Sequence, residues 1–178
     1  YKEKLLKIPG IRQVTHATWF GGIYQSERNF FPQYAIETET YRGVFPEYDL
    51  PLDQWKAFIA DRQGCIIGRT LAERFNWKIG DRIPMKGTIF PGTWEFNIRG
   101  IYRGKRSSDD TTQFWLQYPY LEERSEIVKG LVGAYFLKID DPDNAPGISK
   151  AIDGAFRNSA FETTTETERA FAAGFMKQ

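Results

Sequence analysis

Glu37 and Glu39 are two residues apart, so on a β-strand both carboxylates stand on one face. Two carboxylates are enough for glycoside hydrolysis, and mutual repulsion would raise the pKa of one of them. A solvated strand face explains the same pair more simply. His16 is the only histidine and Cys65 the only cysteine of the 178 residues. His16 lies in a strand-like run with no cysteine nearby, and a zinc site needs three or four ligands, most often nitrogen or sulfur. A serine triad would need His16 as its base, and the chain has no Gly-x-Ser-x-Gly elbow. Nor does it contain a Walker A loop or a dinucleotide fingerprint. Cys65 sits in the apolar run Gly64-Cys65-Ile66-Ile67-Gly68. It reads as an inert core thiol, since no cation or histidine beside it would favour the thiolate.

The remaining polar groups have simpler uses. Asp109 and Asp110 share a loop with Arg106 and Ser107 and read as solvated. Asp140, Asp141 and Asp143 have a faint likeness to a calcium loop, but Pro142 stands among them and the later bidentate glutamate is missing. Turn and N-cap duty suits them better. Arg99, Arg103, Lys105 and Arg106, with Tyr102 among them, could grip single-stranded nucleic acid. Glu95, Asp109 and Asp110 flank that stretch, however, and the whole chain carries a net charge of only +1. Trp19, Phe20, Tyr24, Phe30, Phe31 and Tyr34 form an aromatic cluster that could stack on sugars or hold a partner protein. Filling a core or a subdomain interface is the plainer use. The expectation is therefore no catalytic residue, no cofactor-binding residue and no metal ligand.

The elements that carry these residues mix helix and strand. Hydrophobic residues make up 41% of the chain, enough for a core, and 24 basic against 23 acidic residues give no pull toward nucleic acid or anionic lipid. No apolar run approaches the ~20 residues that span a bilayer, and the N-terminal residues lack the apolar stretch of a signal peptide. The sequence opens on Tyr1 and reads as a piece of a longer protein.

Periodicity predicts a short helix over 2–8 and a strand over 11–20. A strand over 34–45 follows, then a helix from Asp53 through Ala60 with Trp55 and Phe58 on one face. A buried strand at 65–67 and a helix at 69–75 come next. Strands at 82–89 and 94–102 are joined at Pro91-Gly92. A mobile loop is expected over 104–112, strands at 114–118 and 131–139, a helical or irregular stretch at 120–128, and a helix at about 145–157. Thr165 and Glu168 fit a capping box for a last helix running to Gln178, with Phe171 and Phe175 four residues apart. Hairpins in the middle with strand–helix units at both ends favour α+β over a doubly wound sheet.

The run Gly68-Arg69-Thr70-Leu71-Ala72, continuing to Lys78-Ile79-Gly80-Asp81-Arg82-Ile83, resembles the segment G-x-x-L-A-x-x-x-x-x-K-x-G-D-x-I of MacB-like periplasmic core domains in FtsX-like ABC transporter permeases. Ile8-Pro9-Gly10-Ile11 resembles the family's opening I-P-G-V. Tyr41 to Tyr48 resembles the strand that leads out of the first lobe, and Phe96 to Tyr102 resembles the F-x-V-x-G-I-Y strand. Phe156 to Ser159 and Glu162 to Arg169 are similar to the approach to the second transmembrane helix.

The resemblance implies two lobes: a porter-like βαβ lobe built from residues 1–47 and 130–178, and an inserted, strand-rich lobe from 48–129. It implies an inner-membrane permease whose domain here is periplasmic. Such a domain would transmit ATP-driven movement or handle exported substrate without catalysis of its own. The implied partners are a second permease copy or paralogue, a cytoplasmic ABC ATPase reached through transmembrane segments, and a periplasmic adaptor or substrate protein, with no nucleic acid. The alternative is a secreted sugar- or peptide-binding module that uses the aromatic cluster.

Overall fold

The computed structural model describes residues 1–128 and 131–171. In chain order the elements are α1 (Lys2–Leu6), β1 (Ile11–Trp19), β2 (Gln33–Ile36), α2 (Tyr41–Val44), β3 (Tyr48–Asp49), α3 (Leu52–Ala60), β4 (Gly64–Gly68) and α4 (Arg69–Phe75). Then come β5 (Arg82–Gly87), β6 (Gly92–Gly104), β7 (Phe114–Gln117), α5 (Tyr118–Arg124), β8 (Ala134–Ile139) and α6 (Ala145–Ala155). The mixture of helix and strand expected from the sequence is present, arranged about a large mixed sheet.

The chain forms two compact units, one from residues 1–14 and 137 onward, the other from 15–136. The lobes expected from the sequence changed over at 47/48 and 129/130, whereas these units change over at 14/15 and 136/137. β1 and β8 each run through a changeover. In the first unit Leu5, Ile11, Val14, Ile148, Ile152 and Phe156 are buried. Ile148 and Ile152 are one helical turn apart on α6, which puts both on one face. Gly10, at φ +93°, turns the chain from α1 into β1, and a Cβ there would lie 3.0 Å from Ile148. Its carbonyl accepts the Asp140 N–H at 2.9 Å.

In the second unit the strands run in the order β3-β6-β4-β7-β2-β1, with β5 also paired to β6 and β8 beyond β1. β2 and β7 are parallel, as are β4 and β6, while β1–β2, β4–β7 and β5–β6 are antiparallel. Both faces of the sheet are covered. Cys65 and Ile67 enter one apolar cluster and Ile66 the other, and this is why β4 is buried along its whole length.

The strand expected over 94–102 is present in β6 and alternates in burial: Trp94, Phe96, Ile98, Gly100 and Tyr102 are buried and their neighbours less so. These residues do not all serve one core. Cys65 pairs with Ile98 but Ile66 pairs with Gly100, so Arg99 is an extra residue opposite β4. A bulge of one residue shifts the side chains of β6 to the other face relative to its neighbour. Trp94, Phe96 and Ile98 thus pack in one cluster and Tyr102 in the other.

Three local expectations are corrected. The strand expected over 34–45 ends at Ile36; residues 38–40 turn and 41–44 are helical. The Thr40 hydroxyl bonds the Glu37 carboxylate, and the Tyr41 N–H donates to the Glu37 carbonyl. These side-chain and turn bonds replace ladder bonds, and the turn buries Tyr41 against Trp115. The loop over 104–112 is internally bonded: Asp109 accepts the Arg106 N–H and Asp110 the Thr112 N–H. Asp109, read as solvated, has only 5% of its side chain exposed. The last helix is capped by Thr167, whose hydroxyl accepts the Ala170 N–H, because Thr165 is bonded to Asp153 instead. Phe175 lies outside the described residues.

Candidate functional site

Glu37 lies just past β2 and Glu39 in the turn that follows, so they do not share a strand face. Both line a cavity of about 300 Å³ together with His16, Thr38, Tyr118 and Pro119. β1 delivers His16 to it, and the first turn of α5 delivers Tyr118 and Pro119. His16 Nε2 is 3.1 Å from Glu37 Oε2, and the other carboxylate oxygen is bonded by the Thr40 hydroxyl. The Tyr118 ring meets the imidazole edge-on at 4.7 Å. Its hydroxyl donates toward the carbonyls of Val128, at 2.9 Å, and Leu131. Burial, followed by the nearby charge of Glu122, pushes the Tyr118 pKa up to about 12. Glu37 is thus bonded to His16 and Thr40 rather than set beside Glu39 as a carboxylate couple. A glycosidase needs two carboxyl groups poised about the scissile bond, and this arrangement commits one of them elsewhere.

His16 is the residue whose surroundings the sequence concealed. Its partner is 21 positions along the chain and reaches it only because β1 and β2 pair antiparallel, Ala17 opposite Ile36.

A second concavity, about 270 Å³, is lined by Trp19, Tyr24, Phe30, Gln33 and Ile89 among others. The aromatic cluster divides here. Phe20 and Phe31 are buried in the core, while Phe30 is 66% and Trp19 38% exposed. Gln33 holds the floor rigid: its amide accepts the Gly22 N–H at 2.6 Å and donates to the Gly22 carbonyl at 2.9 Å.

The other candidates are structural. Cys65 is fully buried, and burial drives its thiol pKa well up, away from the thiolate. Asp141 accepts the Asp143 N–H at 3.0 Å, the turn and cap duty expected of it. Among the described residues no three His, Cys, Asp or Glu side chains gather as a metal site would require. The basic stretch is partly neutralised, since Arg106 pairs with Asp109 and Arg99 with Asp61.

Asp61 ends α3 and accepts three hydrogen bonds: from Gln63 N–H, Asn97 Nδ2 and Arg99 Nε, each at 3.0 Å. Burial alone would raise its pKa, but the bonds from Asn97, Arg99 and Gln63 outweigh it and hold the carboxyl below the usual range. A folded pKa below the unfolded one, about 3.9, adds stability above that pH. This stability is lost as pH falls through the folded value. Asp61→Asn is expected to flatten the acid limb of stability below about pH 4. Urea midpoints between about pH 2 and 6 check this, and an acid limb as steep as the parent's would contradict it.

Three comparisons bear on what such a domain is. Residues 2–155 match the family described as the MacB-like periplasmic core domain. Comparison with curated proteins gave no match. Among solved structures, the extracellular domain of the noncanonical ABC-type transporter YknZ from Gram-positive bacteria superposes with a TM-score of 0.61 at 12% identity, over 90% of this chain and 83% of that one. The periplasmic region of MacB from Actinobacillus actinomycetemcomitans gives 0.58 at 14% identity, over 99% of this chain and 81% of that one. At such identities the likeness establishes the fold, and the two neighbours are extracellular or periplasmic parts of membrane transporters. No helix among the described residues is long and apolar enough to cross a membrane. The match over residues 2–155 makes this chain a member of the MacB-like periplasmic core domain family of ABC transporter permeases.

Proposed function

We propose that the domain is a mechanical and substrate-handling module of its permease, without catalysis of its own. It stands on the outer side of the cytoplasmic membrane. Energy comes from an ABC ATPase on the other side, reached through transmembrane segments, and the moving partner is a second permease copy or paralogue. A periplasmic adaptor or substrate protein completes the set of partners. In this reading residues 1–47 and 130–178 form the porter-like lobe and 48–129 the inserted lobe.

The observation that carries the reading is the path of the chain. Its first 14 residues and the stretch from 137 onward form one compact unit. β1 and β8 lead from there into the sheet-bearing unit. A movement applied to the ends therefore passes along two strands, and strands with paired backbones resist stretching. The chemistry of the cavities agrees with a module that needs packing more than a nucleophile. Its one thiol is buried and protonated, and Glu37 is held by His16.

The test exploits Cys65, which is buried and is the only cysteine of the chain. Lys56→Cys, at an exposed position on α3, gives one labelling site per domain. In the dimeric permease reconstituted with its ATPase, spin labels at this site are expected to change separation when ATP is added and to return after hydrolysis. An unchanged distance distribution through the cycle would sink the reading.

A further inference from the structure

We propose that residues 157–167 form a latched strap, fastened by Tyr1 and Asp153, which fixes the helix beginning at residue 168 to the first unit. The inference rests on the mechanical reading above and gives it specific residues.

The strap begins where α6 stops. Phe156 is fully buried at the helix end, and Asn158, at φ +62°, turns the chain back. From there to Thr167 the backbone makes neither helix nor strand. Such a segment would ordinarily be a loose linker, because nothing regular satisfies its N–H and C=O groups. Here side chains do so.

The Tyr1 hydroxyl accepts the Phe161 N–H at 3.0 Å and donates to the Phe161 carbonyl at 2.7 Å. It also lies 3.2 Å from the Ser159 hydroxyl. The Tyr1 ring packs on Phe156 with centroids 4.4 Å apart, and the Lys4 ammonium stands over that same ring. The second latch is Asp153 on α6. Its carboxylate accepts the Thr165 N–H at 3.2 Å, the Thr165 hydroxyl at 2.7 Å and the Thr163 hydroxyl at 3.2 Å. Thr163, Thr164 and Thr165 are β-branched, which restricts χ1 and favours extended backbone. Thr167 then caps the next helix.

Two features mark this as a latch rather than a core. The Phe161 ring is 60% exposed, so the strap is held by its peptide groups and not by burial of its side chain. Each latch is also made of polar bonds near the surface, which open far more readily than packed apolar contacts. One latch joins the strap to the residues that begin α1, the other to α6. With both closed, a displacement of the helix at 168 moves α1 and α6 together. With both open, the strap absorbs the displacement.

The experiment has two readouts. In the 178-residue chain, amide hydrogen exchange is measured for the parent, Asp153→Ala and Tyr1→Phe. The Thr165 amide is expected to exchange at least about 10-fold faster in Asp153→Ala, and the Phe161 amide likewise in Tyr1→Phe, with β4 amides unchanged. Unchanged exchange at both positions would overturn the latch. In the reconstituted permease labelled at Lys56→Cys, the double variant is expected to keep ATP hydrolysis and lose the ATP-driven change in label separation. A double variant that keeps the full change would overturn the coupling role. A parent that shows no change at all refutes the mechanical reading itself, a separate failure, and exchange alone then decides whether the strap is latched.

Discussion

Trp115→Ala is expected to lower the unfolding free energy by about 3–5 kcal/mol, the range for deleting a buried large aromatic. For a chain of this size that corresponds to a fall in Tm of roughly 6–20 °C. Trp115 lies on β7 with 2% of its surface exposed. Its ring stacks on Tyr102 at 4.1 Å with the planes 5° apart, and Tyr41 and Tyr48 meet it at 5.0 and 5.3 Å. The indole N–H donates to Gln113 Oε1 at 2.9 Å. Truncation removes the ring that Tyr41, Tyr48 and Tyr102 share, and those three belong to α2, β3 and β6. The cost depends on how far the remaining rings of the cluster can close over the space left. A urea titration decides the matter: the midpoint should drop while the m-value holds. A loss below about 1 kcal/mol would mean that this cluster is not a core.

Gly68→Ala is expected to cost about 1–3 kcal/mol through overpacking, although it adds only a methyl group. A Cβ at Gly68 would sit 2.0 Å from the Thr111 carbonyl oxygen and 2.4 Å from its carbon. These are backbone atoms, so no rotamer change can make room. The same segments are held by the Gly68 N–H to the Gln113 carbonyl at 2.9 Å and the Thr70 N–H to the Thr111 carbonyl at 3.1 Å. Relieving the clash separates them and loosens the start of α4. Gly154→Ala is the control of opposite sign. Gly154 lies within α6 with nothing within 4 Å of its would-be Cβ, so alanine there should gain about 0.5–1 kcal/mol. Thermal unfolding of the two variants beside the parent separates them, and equal Tm values would contradict the close approach at Gly68.

The candidate site was only half legible. His16, Glu37 and Glu39 could be named from the sequence, but their relation could not, nor could Thr38, Tyr118 and Pro119 be placed beside them. Glu37 and Glu39 read as a pair because Tyr34 to Phe45 is rich in β-prone and aromatic types with a period of two. That pattern was overridden locally. Tyr41 packs against Trp115 from a helical turn instead of extending β2, and the hydroxyl of Thr40 bonds Glu37 in place of a ladder partner. The aromatic cluster failed for a different reason. Phe30 and Phe31 are neighbours, yet one is 66% exposed and the other 2%, a division set by the loop and by no periodicity.

Sequence by itself determined the elements whose signals are local. α4 runs from Arg69 to Phe75 as its apolar spacing requires, the β5–β6 hairpin turns near Pro91-Gly92, and Asp141 caps the turn before α6. It also carried the family: Gly68 to Ile83 resembles the family's segment, and the family match spans residues 2–155. Only the tertiary structure decided the long-range matters. It matched His16 with Glu37 and brought Tyr1 to the peptide of Phe161, 160 positions away. It also used Arg99 as a bulge, so that one alternating strand serves two cores. The physical reason is the range of the forces concerned. Caps, turns and helix faces are settled among residues three or four apart. Pairing register and burial are settled by whichever distant segments close the sheet, and a shift of one residue there exchanges the faces of every side chain beyond it.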